Sequence, residues 1–340
     1  MRLLKLGILD QSPIGTGENA TTALWHTIEL ARRAERLGYS RFWVSEHHDS
    51  GSLAGSSPEV LLSAIGSHTS HIRIGSGGVL LPHYSPYKVA ENFRILEGLY
   101  PGRVDLGIGR APGGMPLSSL ALRGDGASSR DDKLPEMLAE LGAYLETGAP
   151  LPKEHPLAGL TATPKVGTAP EIWLLGSSGF SAALAGRMGA KFSFAQFING
   201  NGGQSATSEY SRGYRPGPLG RRPQVSVCVF VICADSDLTA EREAKAMDLR
   251  LLQQEKGEYF RSFPTPEEAA AYPYTEWERA RIAENRKRMI VGGPARVRSS
   301  LLALADSYRT DEVLIACMMS DFRLRLRCYE LLADLFFLRR

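Results

Sequence analysis

The sequence predicts an α/β protein built as a (β/α)8 TIM barrel with insertions at the C-terminal face of its strands, and three observations point there. Short apolar runs alternate with longer segments of helical period along the 340 residues. That cadence calls for parallel strands joined by right-handed crossovers. The run at 225–233, V-S-V-C-V-F-V-I-C, is almost continuously apolar, as a strand covered on both faces should be. Eight strands with intervening helices suit a closed barrel better than an open doubly wound sheet, which cadence alone leaves as the alternative. Residues 1–340 read as a single domain, with no internal repeat and no separating linker.

The elements follow in order. Residues 4–10 form a β-like run. Residues 21–37 carry apolar positions at helical spacing, and Gly38 fits the position just past a helix end. R-F-W-V-S-E at 41–46 is the second strand and 58–68 a helix. The third strand spans 72–80, followed by a helix at 86–99 with proline in its first turn. The fourth strand is 104–109, and 128–147 looks helical. The fifth, 171–175, runs into G-S-S-G and a helix at 180–188. The sixth is 191–197 and the seventh 225–233, followed by a helix at 237–254. The eighth strand is 312–318, and a helix at 321–338 closes the chain. Three stretches exceed a minimal barrel: 111–170, the Gly/Ser/Arg-rich 199–223, and 256–294, which holds several prolines and the charged helix W-E-R-A-R-I-A-E-N-R-K-R. Each follows a strand, so each belongs near the carboxyl-end face, where long loops build or cover active sites.

Composition narrows the function classes. A net charge of +3, from 40 basic and 37 acidic residues, is too even for a nucleic-acid or membrane surface. No apolar run approaches the roughly 20 residues that span a bilayer. The N-terminal residues read as a first strand and not as a signal peptide. Cys228, Cys233, Cys317 and Cys328 lack C-x-x-C spacing and lie in apolar segments, which reads as buried free thiols in a cytoplasmic protein.

Four motifs can carry chemistry. Gly176-Ser177-Ser178-Gly179 lies between the fifth strand and its helix. A helix start offers unpaired N–H groups and a positive dipole end, small residues let an anion approach, and hydroxyls (Ser181 among them) add donors. An ordinary N-cap needs only one of these serines. Arg110 ends Gly107-Ile108-Gly109-Arg110 on the adjacent strand, where its guanidinium either pairs with the same phosphate or meets a loop carboxylate. Gly75-Ser76-Gly77-Gly78 interrupts the third strand, which calls for close backbone approach, by a planar ring or by packing. Glu46-His47-His48-Asp49 ends the second strand. Strand neighbours point to opposite faces, so His47 and His48 do not readily ligate one ion, and no metal is expected; one histidine at the mouth serves as acid, base or donor.

Together these motifs resemble the bacterial-luciferase-like flavin-dependent monooxygenase family, a (β/α)8 barrel. W-V-S-E-H-H-D is similar to the family's second-strand end, I-R-I-G-S-G-G-V-L-L-P to its third strand, G-R-V-D-L-G-I-G-R-A-P-G-G to its fourth, and L-G-S-S-G-F-S to its phosphate turn. The likeness is dense over 4–114 and 172–189 and fades in the loops and over about 254–289. It implies that Arg110, Gly176, Ser177, Ser178 and Ser181 hold the phosphate of FMN. It implies that Gly77-Gly78 lies under the ring, often through a non-proline cis peptide in this family, and that His47 is the catalytic histidine. Gly109 stands where light-emitting members carry a cysteine, so light emission is not implied. The resemblance further implies a cytoplasmic homodimer that receives reduced FMN from a separate NAD(P)H:flavin reductase. O2 and a C4a-peroxyflavin would then oxygenate a small organic substrate. The alternatives are an F420-dependent oxidoreductase, an inert flavin-binding protein of the same fold, and a barrel metal hydrolase using Glu46, His47 and His48. Asp10, Gln11, Gln196 and Phe197 are expected to face the substrate, or else to serve the barrel's own bonds.

Overall fold

A computed structural model describes residues 4–123, 132–258 and 262–338. The strands are β1 (Lys5–Asp10), β2 (Arg41–Val44), β3 (Arg73–Leu80), β4 (Val104–Gly109), β5 (Glu171–Gly176), β6 (Lys191–Ala195), β7 (Val225–Cys233), β8 (Met289–Gly292) and β9 (Glu312–Ala316). The helices are α1 (Ala20–Leu37), α2 (Pro58–Ser67), α3 (Pro86–Leu99), α4 (Pro116–Arg123), α5 (Leu134–Tyr144), α6 (Gly179–Met188), α7 (Gly203–Gly213), α8 (Asp237–Glu255), α9 (Pro266–Ala271), α10 (Glu276–Asn285), α11 (Pro294–Ser307) and α12 (Phe322–Leu335).

Eight parallel strands close into a ring, β1 through β7 in order and then β9, which pairs back onto β1. This is the expected (β/α)8 barrel. Each crossover helix covers the wall with its apolar stripe, as α1 does with Ala23, Ile28, Leu30, Ala31, Ala34 and Leu37 buried. Asn19 caps its start by accepting from the Thr22 N–H. Gly38 ends it at φ 85°, a left-handed position suited to glycine.

The sequence expectation was incomplete in the insertions. The stretch 199–223 contains α7, whose buried face is only Gly203, Ala206, Thr207 and Tyr210. The spacing is helical, but small and polar residues dilute the apolar signal. The stretch 256–294 holds α9, α10 and the short β8, which pairs with the far half of β7 as a ninth strand. Helix α11 was not anticipated, and the helix expected at 128–147 runs from Leu134, with 128–131 outside the described residues. Among the described residues, no helix is long and apolar enough to cross a membrane. All four cysteines are free and buried.

One end of the barrel is closed by a buried ionic layer. Arg41 Nη1 donates to Asp105 Oδ2 at 2.5 Å and Arg41 Nε to Glu312 Oε1 at 2.6 Å. The three residues lie on the second, fourth and eighth strands of the ring, the alternate-strand pattern of a barrel layer. Trp43 Nε1 and Arg73 also donate to Asp105, and the Arg41 guanidinium stacks 4.8 Å from the Trp173 ring centre. A Cβ on Gly7 would lie 2.7 Å from Arg41 Cγ, so glycine in β1 leaves the room that Arg41 occupies. Arg41→Ala removes the buried cation between two carboxylates, leaving Asp105 with Arg73 and Trp43 and Glu312 with Gln224 and Ser40, and should cost about 3–5 kcal/mol. Urea unfolding followed by circular dichroism measures this; a loss below about 1 kcal/mol would show that the layer is solvated.

Candidate active site at the barrel mouth

Past the end of β2 the chain keeps its alternation. Ser45 Oγ bonds His47 Nδ1 at 3.1 Å, and Glu46 Oε1 bonds His48 Nε2 at 2.7 Å. The two histidines therefore serve different sides, as the strand period requires. Glu46, 4% exposed, is a clamp. Its Oε2 accepts from the Leu80 N–H at 3.0 Å and its Oε1 from the Tyr84 hydroxyl at 2.8 Å, tying the ends of β2 and β3 together. Burial, and then the Glu46 charge, push the Tyr84 phenol well above its ordinary value, so it stays a donor. His48 N–H donates to Gly113 O. His83 bonds Pro112 O through Nε2 at 2.8 Å and accepts from Arg123 Nε at Nδ1, which puts its proton on Nε2. Glu46 and His48 thus serve architecture. Among the described residues, no group of three or more His, Cys, Asp or Glu side chains is arranged to hold a metal ion.

His47 is a half-buried ring at this mouth. Its burial lowers the imidazolium pKa to about 4, with the Arg250 charge adding to the effect. The ring is neutral at physiological pH.

The peptide between Gly77 and Gly78 is cis, and the β3–β4 register shifts between Gly77 and Val79. A Cβ on Gly77 would meet Leu9 Cδ1 at 2.4 Å, and one on Gly78 would meet Gly107 O at 2.7 Å. Packing within the barrel, not against a helix, already requires both glycines.

Two strands along lie the residues that the sequence suggests for a phosphate. Arg110 leaves the end of β4 with its guanidinium 4.6 Å from the Phe180 ring centre, and Phe180 lies in the first turn of α6. Ser178 is the N-cap of α6, yet its side chain makes no cap hydrogen bond. A Cβ on Gly176 would lie 2.3 Å from Ser181 Oγ, so this glycine lets Ser181 fold against the turn. Asn199 Nδ2 donates to Ser177 O and braces it. Glu209 of α7 borders the same helix start, its Oε2 being 3.2 Å from where a Gly179 Cβ would stand. A guanidinium over the first turn of a helix whose start carries small residues and hydroxyls is chemistry suited to a phosphate monoester.

The family model described as "Luciferase-like monooxygenase" matches residues 4–311. The chain belongs to the luciferase-like monooxygenase family. It is 51% identical to the Bacillus subtilis (strain 168) protein YwcH over 98% of this chain and 99% of that one. It is 37% identical to the N-acetyl-S-alkylcysteine monooxygenase of the same organism, over 98% of both chains. Among solved structures it is similar to apo-MsnO8, with a TM-score of 0.86 and 39% identity, covering 98% of this chain and 99% of the other.

Of the strand-end residues expected near substrate, the fold engages three, and Asp10 and Gln11 are buried. Asp10 accepts from Thr27 Oγ1 at 2.6 Å, Gln196 binds Tyr308 and the Lys287 carbonyl, Phe197 packs edge-on against Phe230, and Gln11 is buried. Sequence reasoning missed Phe180, Glu209 and Arg250. Phe180 was within reach, being the residue after G-S-S-G. The other two are brought in by helices distant in sequence.

The His47 environment has a testable consequence. Its folded pKa lies below the unfolded value near 6.5, so between about pH 6.5 and 4 the unfolded chain holds a proton that the folded ring refuses. Stability should therefore fall as pH drops through that window and owe nothing to this group above it. A nuclear magnetic resonance titration of the His47 ring should show a midpoint near 4, and a midpoint at 6.5 would mean the ring is solvated.

Proposed function

We propose that this chain is the oxygenating component of a two-component flavin-dependent monooxygenase. It would take reduced FMN from a separate NAD(P)H:flavin reductase and use O2 to oxygenate a small organic substrate. The observation that carries this reading is the Arg110 guanidinium over Phe180, in the first turn of a helix whose N-cap serine makes no cap hydrogen bond.

In this reading Arg110, Gly176, Ser177, Ser178 and Ser181 bind the FMN phosphate, and Gly77-Gly78 lies beneath the ring. Bound reduced flavin supplies the electrons and the centre at which O2 is activated. The protein's share is to bind, orient, exclude water and manage a proton. Nδ1 of His47 is engaged by Ser45, so Nε2 is the atom from which this neutral imidazole would hold or pass a proton. Helix α8 begins at β7 and reaches the loop after β2, where Arg250 Nη2 donates to Ser52 Oγ at 3.1 Å. A helix that ties the insertion after β7 to the loop after β2 would help keep water out. A homodimer through the early helices belongs to the same reading, supported by exposed Trp25, Val60, Ile95 and Leu99 on α1, α2 and α3. The substrate named for the 37% identical relative makes N-acetyl-S-methylcysteine a suitable probe of the substrate space.

Anaerobic titration with reduced FMN tests the proposal, and tight F420 binding with no affinity for reduced FMN would overturn it. Arg110→Ala should weaken FMN binding by about 1.5–3 kcal/mol, the scale of a charge-assisted hydrogen bond. Glu209→Gln should strengthen it by about 0.3–1 kcal/mol, because a carboxylate leaves a site shared with a phosphate and a helix dipole. Flavin fluorescence quenching reads both, and unchanged affinities would place the phosphate elsewhere. His47→Ala should slow oxygenation in rapid mixing with O2 more than it alters FMN affinity; the opposite pattern would make His47 a binding residue only.

A further inference from the structure

We infer that Ser45 is a positioning residue that fixes His47 with its proton on Nε2, so that His47 serves the mouth as a hydrogen-bond donor and not as a base. This deepens the proposed function and rests on its reading that ligands bind at this mouth.

Geometry fixes the ring. Residues 45 and 47 are two apart on an extended strand end, so their side chains share a face. Ser45 N–H donates to Asp10 O at 3.1 Å and prolongs the pairing of β2 with β1, while His47 N–H donates to Gly55 O at 2.9 Å. A Cβ on Gly55 would stand 3.1 Å from Ser45 O, so this loop packs directly on the strand end. Between these backbone anchors the ring is held by Ser45 Oγ, 3.1 Å from Nδ1.

Hydrogen-bond accounting fixes the proton. Ser45 is 6% exposed, and among the described residues its hydroxyl bonds His47 Nδ1 alone. Were the hydroxyl to accept from an Nδ1–H, its own hydrogen would be buried without an acceptor. Donating to a bare Nδ1 leaves only lone pairs unused, which costs less. A neutral ring that accepts at Nδ1 carries its one hydrogen on Nε2. Among the described residues His47 Nε2 has no hydrogen-bond partner. His48 Nε2 is committed to Glu46, and both nitrogens of His83 to Pro112 and Arg123. Of the three rings, His47 alone has an N–H left to offer a ligand.

The chemistry follows from that proton. Nε2 already carries hydrogen and takes no second one, and Nδ1 is occupied by Ser45. Surrendering the Nε2 proton would leave an anionic ring partly withdrawn from water, a costly state. What remains is electrostatic: a fixed N–H offered to an electron-rich oxygen of the ligand, with no reorganisation needed when charge develops there.

The experiment is nitrogen-15 resonance spectroscopy of the full-length protein labelled in its histidine rings, at neutral pH, with the His47 signals assigned by their loss in His47→Gln. Protonated and bare ring nitrogens resonate far apart. In the wild type the Nε2–H form should outnumber the Nδ1–H form by about tenfold or more. Ser45→Ala should lower that ratio by about fivefold, the net worth of one hydrogen bond. Ser45→Thr, which keeps the hydroxyl, should restore it. His47→Gln retains an N–H donor but cannot act as a base. In rapid mixing of the reduced FMN complex with O2 it should stay within about tenfold of wild type, while His47→Ala falls further. A wild-type ring protonated on Nδ1, a ratio unmoved by Ser45→Ala, or a His47→Gln variant as slow as His47→Ala overturns the inference. Titration with reduced FMN separates the two readings. Nδ1–H in a chain that binds reduced FMN removes the donor role alone. Nε2–H in a chain with no affinity for reduced FMN keeps His47 as a fixed donor and removes the flavin function.

Discussion

The molecule depends on Arg41. Its two carboxylate partners sit on strands that never touch its own except through others: Asp105 on β4 and Glu312 on β9. Burial alone would lower the Arg41 pKa, but Asp105 and Glu312 reverse this and hold the group firmly charged. Such clusters are poor sources of net stability, because well-packed apolar residues often do as well. Their geometry is demanding, however. Both bonds form at one stagger of the strands only, so the cluster discriminates against slipped registers, which would strand buried charges. Gly7 and Trp173 belong to the same constraint, one giving Arg41 space and the other a face to stack on.

The opposite end inherits that register. With β2 to β5 side by side, His47, Gly77-Gly78, Arg110 and the G-S-S-G turn fall in a row around one arc of the mouth. The row is stiffened by bonds between successive loops: Glu46 to Leu80 and Tyr84, His48 to Gly113, and His83 to Pro112. A rigid floor here, with the β7 insertion laid over the rim, divides labour usefully. Preorganised donors need not be reordered when a ligand arrives, while specificity can vary in the roof.

Much of this was legible in the sequence because it is local. Strand β7 declared itself through unbroken apolarity, α1 through its stripe and Gly38, and the separation of His47 from His48 through the period of a strand. Arg110 was legible because it ends a strand one place from the serines. What escaped depends on path or on weak patterning. Helix α7 hides in glycine, serine and threonine, and β8 is four residues long. Nothing near Arg250 in sequence says that α8 will deliver it to Ser52 in the loop after β2. The glycine run was legible as close approach, but its cause is partly the barrel's own packing against Leu9 and Gly107.

The neutral state of His47 bears on how the mouth sorts its ligands. A phosphate monoester carries up to about two negative charges near neutrality. It is best matched by the start of α6, where a helix dipole, several N–H groups and Arg110 act together. Arg250 is a half-buried guanidinium with no helix start beside it, a weaker match for such a charge. An imidazolium at position 47 would add a second charge beside Arg250 and give the phosphate a competing destination at the wrong end. The burial that keeps His47 neutral removes that competition. Under the proposed function, the same depression of pKa that preserves a neutral ring would also bias a phosphate toward the α6 end of the mouth.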